Sequence, residues 1–180
     1  MNGTKLAGGP TQDEIMAVSL FKLGLRSNDT ILEIGCGTGK ISVAIAQAVK
    51  KVYSLDRRPD AVSLAAETAR NAGVHNIEFF STDAVDYLKK DQLFDCAFLG
   101  GTRQLAEILP ALAKKVKRTI VINAVMVSTL DRAVMITKGL GIFSEVVQVQ
   151  VSRSHDIAGS IMFRPIDPVY IIVARGEACS

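Results

Sequence analysis

Few cysteines, no apolar run of membrane length and no dense basic block set the first limits on this chain of 180 residues. Cys36, Cys96 and Cys179 are odd in number and far apart, and no C-x-x-C pair occurs. That spacing excludes a disulfide framework or a zinc site and reads as reduced thiols. No stretch approaches the ~18 apolar residues of a membrane span, and the polar residues 1–5 lead into no signal-peptide core. The expectation is a soluble, cytoplasmic protein with no membrane association. Lysines and arginines do not cluster with interleaved aromatics, so no large nucleic-acid surface is expected. Internal repeats and low-complexity tracts are also missing.

What is present is ordinary in amount: 48% apolar and 22% charged residues, enough for one domain with a real core. The net charge of +3 is unevenly placed, with a balance of −1 over residues 1–100 and +4 over 101–180. A cationic second half suits an anionic substrate, although Lys114, Lys115, Lys117 and Arg118 read as solvated surface.

The most informative residues are Glu33-Ile34-Gly35-Cys36-Gly37-Thr38-Gly39. They follow the apolar Thr30-Ile31-Leu32 and precede an apolar-periodic stretch over 41–49, so they read as strand, glycine loop and helix. Glycines at alternate positions let the backbone turn tightly and approach a ligand. A dinucleotide fingerprint, G-x-G-x-x-G, would put glycine where Lys40 stands, and Glu33 would repel a pyrophosphate. The pattern E-x-G-x-G-x-G resembles the first motif of the class I S-adenosylmethionine-dependent methyltransferases. That resemblance implies that Gly35, Gly37 and Gly39 curl under the amino-acid end of the cofactor while Glu33 helps to hold its ammonium.

Periodicity organises the rest. Strands are expected over 30–34, 52–55, 77–80, 94–99, 119–122, 146–151 and 169–174, with helices over 41–49, 59–72, 84–88, 105–115 and from 128 towards 138. Thr11-Gln12-Asp13-Glu14 and Ser128-Thr129-Leu130-Asp131 have capping-box spacing. Residues 1–29 form an N-terminal helical segment, and 152–168, without clear periodicity, reads as a long substrate-side loop. The whole, 1–180, reads as a single α/β domain of Rossmann-like class I methyltransferase fold. Its sheet is seven-stranded and mostly parallel, with an antiparallel C-terminal strand and helices on both faces.

Ligands in such a sheet sit beyond the carboxyl ends of the strands. Asp56, with Arg57 beside it, ends the second strand 21 positions after Gly35 and is placed to accept from both ribose hydroxyls. Asp83 and Ala84 follow the third strand and are candidates for the adenine, with helix capping as Asp83's plain alternative. Gly100-Gly101 after the fourth strand would leave room for the activated methyl and the substrate. The sequence there, Phe98-Leu99-Gly100-Gly101-Thr102, lacks the Asn/Asp-Pro-Pro-Tyr/Phe pattern of base N-methyltransferases.

Several further segments narrow the family: Gly9-Pro10-Thr11-Gln12-Asp13-Glu14-Ile15, Val121-Ile122-Asn123-Ala124, Gly159-Ser160-Ile161-Met162-Phe163 and Asp167-Pro168-Val169. With the length, they resemble the decarboxylating cobalt-precorrin methyltransferases of cobalamin biosynthesis. The resemblance implies methylation of carbon 15 of cobalt-precorrin-6B, loss of carbon dioxide from the carbon 12 acetate, and a homotetramer. It also implies that Thr11 closes the cofactor pocket and that Asn123 and Gly101 face an anionic tetrapyrrole. Arg153, with Arg103 and Arg164 behind it, is the candidate clamp for the ring's carboxylates. His155 reads as a surface or supporting group. Relatives often carry an acidic residue near the start of the helix after the fifth strand, where this chain has Ser128, so no general acid is assigned there. No protein-bound metal is expected. The competing readings are a methyltransferase for RNA or another small molecule, a binding module without catalysis, and an NAD(P)-dependent reductase.

Overall fold

Strands buried on both faces read as nearly continuous apolar runs, and Thr30-Ile31-Leu32-Glu33-Ile34 and Phe94-Asp95-Cys96-Ala97-Phe98-Leu99 are the two that sit at the centre of this protein. The computed structural model describes residues 11–177, so Gly9, Pro10 and Cys179 lie outside the described residues. The chain runs α1 (Asp13–Leu23), β1 (Thr30–Ile34), α2 (Lys40–Ala46), β2 (Lys51–Asp56), α3 (Pro59–Asn71) and β3 (Ile77–Ser81). It continues with α4 (Ala84–Tyr87), β4 (Phe94–Leu99), α5 (Leu105–Lys115), β5 (Val116–Ala124) and α6 (Val127–Gly139). The last elements are β6 (Phe143–Val149), β7 (Ser152–Ile157), β8 (Ser160–Pro165) and β9 (Val169–Arg175).

Seven strands form one sheet in the order β3-β2-β1-β4-β5-β9-β6. The first five are parallel, and β9 runs antiparallel between β5 and β6, with Ile122 opposite Ile172. One face packs Leu32, Ile34, Leu99 and Ile122 against α4, α5 and α6, through Leu105, Leu109, Leu112 and Ala133. The other packs Ile31, Cys96, Phe98 and Val121 against α1 and α2, through Ile15, Leu23, Ile41 and Ile45. The expected seven-stranded sheet with an antiparallel last strand is therefore what forms.

Three expectations are corrected. Residues 152–168 are not an irregular loop: β7 and β8 pair as an antiparallel hairpin, Ser152 opposite Pro165 and Ile157 opposite Ser160. Its turn places Ala158 and Gly159 both at positive φ, 52° and 79°, the backbone of a two-residue hairpin turn without its usual Asn-Gly signature. Neither expected capping box forms. The N-cap of α1 is Gln12 and that of α6 is Met126, neither with a side-chain cap bond. Glu14 is instead engaged by Arg153. Among the described residues, no helix is long and apolar enough to cross a membrane.

A partly buried ion pair fastens the end of the sheet opposite the site. Arg118 of β5 donates from Nη1 and Nη2 to the two Asp29 oxygens at 2.8 and 2.7 Å, and from Nη2 to the Gly24 carbonyl at 3.1 Å. Asp29 also accepts from the Arg26 amide at 2.7 Å, and its own carbonyl accepts from Lys50 and Lys51. Burial pushes the Asp29 carboxyl up, but Arg118 and the Arg26 amide outweigh it and hold it below the ordinary value. Because the folded-state value is the lower one, the contribution to stability is full above the unfolded value and lost as pH falls through the folded one. Asp29→Asn is expected to cost about 2 kcal/mol at neutral pH. In urea titrations the gap from wild type should narrow as pH falls through the depressed value of the wild-type carboxyl, where it too protonates. A gap independent of pH would contradict this account.

Candidate functional site

The carboxyl ends of β1, β2, β4 and β5 open on a cleft whose floor is a carboxyl group. Glu33, the one charged residue of β1, is only 1% exposed. Ser42 of α2 and Ser54 of β2 both donate to its Oε2, the latter at 2.7 Å. Burial raises its pKa, and the charge of Asp56 adds to the rise against the pull of the two serines. Cys36, beside it in the loop, has its thiol pushed up to about 12, first by burial and then by the Glu33 and Asp56 charges. It is therefore no thiolate nucleophile near neutral pH.

The loop above Glu33 is shaped by backbone contacts. Gly35 and Cys36 donate to the Leu55 carbonyl at 2.7 and 3.1 Å, and Gly37 donates to Asp56 Oδ2 at 3.1 Å. Gly35 lies at φ 88°, and a Cβ there would stand 2.5 Å from the Gly101 nitrogen, so no side chain is possible without moving the backbone. Gly37 needs its freedom for a different reason: it lies at φ 53° but faces open space, and a Cβ there would meet nothing within 4 Å. Gly39 closes the loop against α3, where a Cβ would come within 2.7 Å of the Ala65 Cα.

Gly100 and Gly101 both donate to the Ile34 carbonyl, at 2.9 and 3.0 Å. A Cβ on Gly100 would come within 3.1 Å of the Gly35 carbonyl oxygen, whereas one on Gly101 would make only ordinary contact with that turn, 3.5 Å from the Gly35 Cα.

Two cavities adjoin here. The larger, about 450 Å³, is bordered by Thr11, Glu33, Gly35, Gly37, Lys40, Asn123, Thr129 and Asp167. The smaller, about 420 Å³, is bordered by Asp56, Arg57, Thr82, Ala84, Gly101 and Arg103. Gly35, Arg58, Gly100 and Thr102 border both, so the two are halves of one elongated cleft. Asn123 is the last residue but one of β5 and its Nδ2 donates to Ser19 Oγ at 3.0 Å, which fixes the amide at the cleft. Lys40, standing where a dinucleotide loop would carry glycine, reaches Asp13 Oδ1 at 2.7 Å and the Thr11 carbonyl at 2.8 Å. It holds the N-terminal segment over the loop.

The comparisons with known proteins agree with that geometry. Residues 5–175 match the model of the precorrin methyltransferase domain. The chain belongs to that family. It is 41% identical over 178 residues to a Methanosarcina mazei protein named a probable cobalt-precorrin-6B C(15)-methyltransferase (decarboxylating), covering 96% of this chain and 97% of the relative. Among solved structures it resembles the precorrin 8w decarboxylase of Methanobacterium thermoautotrophicum, with a TM-score of 0.88 and 28% identity over 92% of this chain and 91% of that one. The precorrin-6Y C5,15-methyltransferase of Geobacter metallireducens also scores 0.88 at 28% identity, over 96% of this chain and 94% of that one. This precorrin methyltransferase domain is thus an enzyme fold of the class I methyltransferases.

S-adenosylmethionine fits the cleft on this structure's own terms. An ionised Asp56 at the end of β2, a glycine cradle that a Cβ would fill and a buried carboxyl beneath it match a ribose, a backbone-lined tail and an ammonium. Of the residues singled out from sequence, Thr11, Glu33, Gly35, Gly37, Asp56, Arg57, Ala84, Gly100, Gly101, Arg103 and Asn123 border the cleft. Asp83 and Gly39 sit just outside it. The Oδ1 of Asp83 accepts from Val85 at 2.9 Å as the N-cap of α4. Arg153 and Arg164 lie on the exposed hairpin and border neither cavity. Sequence reasoning missed Arg58, Thr129 and Ile166. Arg58 carried a faint signal, two residues after the candidate ribose acid.

Gly35→Ala is expected to weaken S-adenosylhomocysteine binding by about a hundredfold, since the left-handed backbone and the Gly101 clash together cost ~3 kcal/mol. Calorimetric titration of the folded variant checks this, and near-wild-type affinity would show that the turn is not the cofactor's cradle.

Proposed function

We propose that this protein transfers a methyl group from S-adenosylmethionine to carbon 15 of cobalt-precorrin-6B and removes carbon dioxide from the ring's carbon 12 acetate. The observation that carries this reading is the single cleft running from Asp56, across Gly35 and Gly100, to Asn123. One half suits a nucleoside, and the other brings its activated end beside a wide, partly apolar opening. When bound, S-adenosylmethionine supplies an electrophilic methyl, and the ring carbon's electron pair displaces the thioether. The protein's own part is alignment: Asp56 takes the ribose, Ala84 adjoins the adenine, and Glu33 meets the ammonium. Gly101 leaves space at the methyl, and Asn123, steadied by Ser19, faces the ring. The exposed Val125 and Met126 at the mouth give the ring's apolar face a surface to rest on. Loss of carbon dioxide leaves an electron pair that the conjugated ring absorbs, so a shaped, dry cavity is what the chain must add.

The polycarboxylate character of such a ring suits the hairpin. Arg153 lies directly opposite Arg164 across β7 and β8, a like-charge pairing that costs stability unless an anion offsets it. Glu14 now pairs with Arg153 at 2.7 Å, and His155 lies 3.3 Å from Arg164. The other hairpin face exposes Ile161 at 72% and Phe163 at 69%, which further copies of the chain would cover in a cytoplasmic homotetramer. A nucleic-acid substrate has no comparable support.

The test is mass spectrometry of cobalt-precorrin-6B after incubation with the protein and methyl-labelled S-adenosylmethionine. A product with one labelled methyl and one carbon dioxide fewer is expected; a ring unchanged by a protein that binds the cofactor would overturn the substrate assignment. The same reading fixes a pH dependence. Burial raises the Glu33 pKa above its ordinary value, and an ammonium favours the carboxylate, so cofactor affinity should climb as pH rises through that raised value. Glu33→Gln should flatten the climb, and an unaltered profile would remove Glu33 from ammonium binding.

A further inference from the structure

Asp56 is fully committed in a way that a ribose-binding acid cannot remain. Its Oδ1 accepts from the Arg58 amide and from Arg58 Nε, both at 3.0 Å. Its Oδ2 accepts from Arg58 Nη2 at 3.0 Å and from the Gly37 amide at 3.1 Å. A carboxylate offers about four acceptor positions, and these bonds fill them. Vicinal ribose hydroxyls donate one bond to each oxygen, which is the fork that the Arg58 guanidinium takes. The backbone bonds from Gly37 and Arg58 leave room for only one such fork. The Asp56 side chain is 6% exposed and that of Arg58 is 40% exposed, so the arginine is the partner that solvent and a ligand reach more readily. Arg58 also borders both halves of the cleft.

We propose that Arg58 is a positioning residue that exchanges partners: the cofactor ribose displaces its guanidinium from Asp56, and the guanidinium then pairs with a ligand carboxylate in the larger cavity. The inference rests on the cofactor reading above. Until the exchange, Arg58 keeps Asp56 oriented and ionised. After it, a guanidinium at the boundary of the two cavities has lost its carboxylate and takes another, either from the cofactor's amino-acid end or from a substrate side chain. Cofactor binding thereby readies the cleft for an acid.

The test is calorimetric titration of the full chain with 5′-methylthioadenosine, which has the ribose but no carboxylate, and with S-adenosylhomocysteine, which has both. Arg58→Ala is expected to tighten 5′-methylthioadenosine binding about threefold, the scale of a half-exposed ion pair that no longer has to be broken. Arg58→Gln, which keeps the stem but loses the fork, should behave alike. In an Asp56→Asn background the Arg58 change should give no gain, a coupling that a merely structural arginine would not produce. Weaker S-adenosylhomocysteine binding beside tighter 5′-methylthioadenosine binding supports exchange onto the cofactor's carboxylate. Equal tightening of both, with a raised KM for the ring and kcat held, supports exchange onto the substrate's. Unchanged or weaker 5′-methylthioadenosine binding in Arg58→Ala, or a gain that persists without Asp56, overturns the exchange while leaving the cofactor reading intact. A wild-type protein that binds neither nucleoside overturns both.

Discussion

The close approach of Gly35 to Gly101 is the constraint on which the site depends. A Cβ on Gly35 would lie 2.5 Å from the Gly101 nitrogen, and both Gly100 and Gly101 donate to the Ile34 carbonyl. The turns after β1 and β4 are thus pressed together where two adjacent parallel strands end. That contact makes one cleft of the two cavities, since Gly35 and Gly100 border both. It also fixes the height of the glycine loop over Glu33, and with it the distance between the buried carboxyl and anything resting on the loop. The sheet that supplies these strand ends is held from the far side by the Asp29–Arg118 pair.

Charge is arranged in layers around that contact. Glu33 and Asp56 lie at the bottom, one raised and one lowered in pKa. Burial acts on both, and only Asp56 has a guanidinium and backbone amides to outweigh it. A cationic ligand would find a latent negative charge in the first and a ready one in the second. The arginines stand at the periphery: Arg57, Arg58 and Arg103 at the cleft, Arg153 and Arg164 on the hairpin. Cationic cofactor inside and acidic substrate outside is the order that this layering suits.

Much of this was legible in the sequence because the sheet is built from segments whose pattern is decisive. The doubly buried β1 and β4 show apolar runs, and E-x-G-x-G-x-G marks the turn between a strand and a helix. The strand-end rule then placed Asp56 and Gly100, and the family resemblance placed Asn123, at what is one cleft. What escaped was structure without a core to impose a period. The β7–β8 hairpin is exposed along most of its length, so neither face shows alternation, and its Ala-Gly turn lacks the familiar signature. The first capping box failed because spacing cannot reveal competition: Glu14 is claimed by Arg153, 139 positions away in the chain. The second failed because α6 already begins at Val127, which puts Ser128 inside the helix. Arg58 was passed over because an arginine after a turn acid looks like surface charge until its fork on Asp56 is seen.

The most direct test of the central claim is a crystal structure of the complex with S-adenosylhomocysteine. One ligand should span both halves of the cleft, with its ribose on Asp56 and its amino-acid end on the Gly35–Gly39 loop above Glu33. A ligand confined to one cavity, or bound away from the Gly35–Gly101 contact, would contradict the reading of the two cavities as a single cofactor cleft.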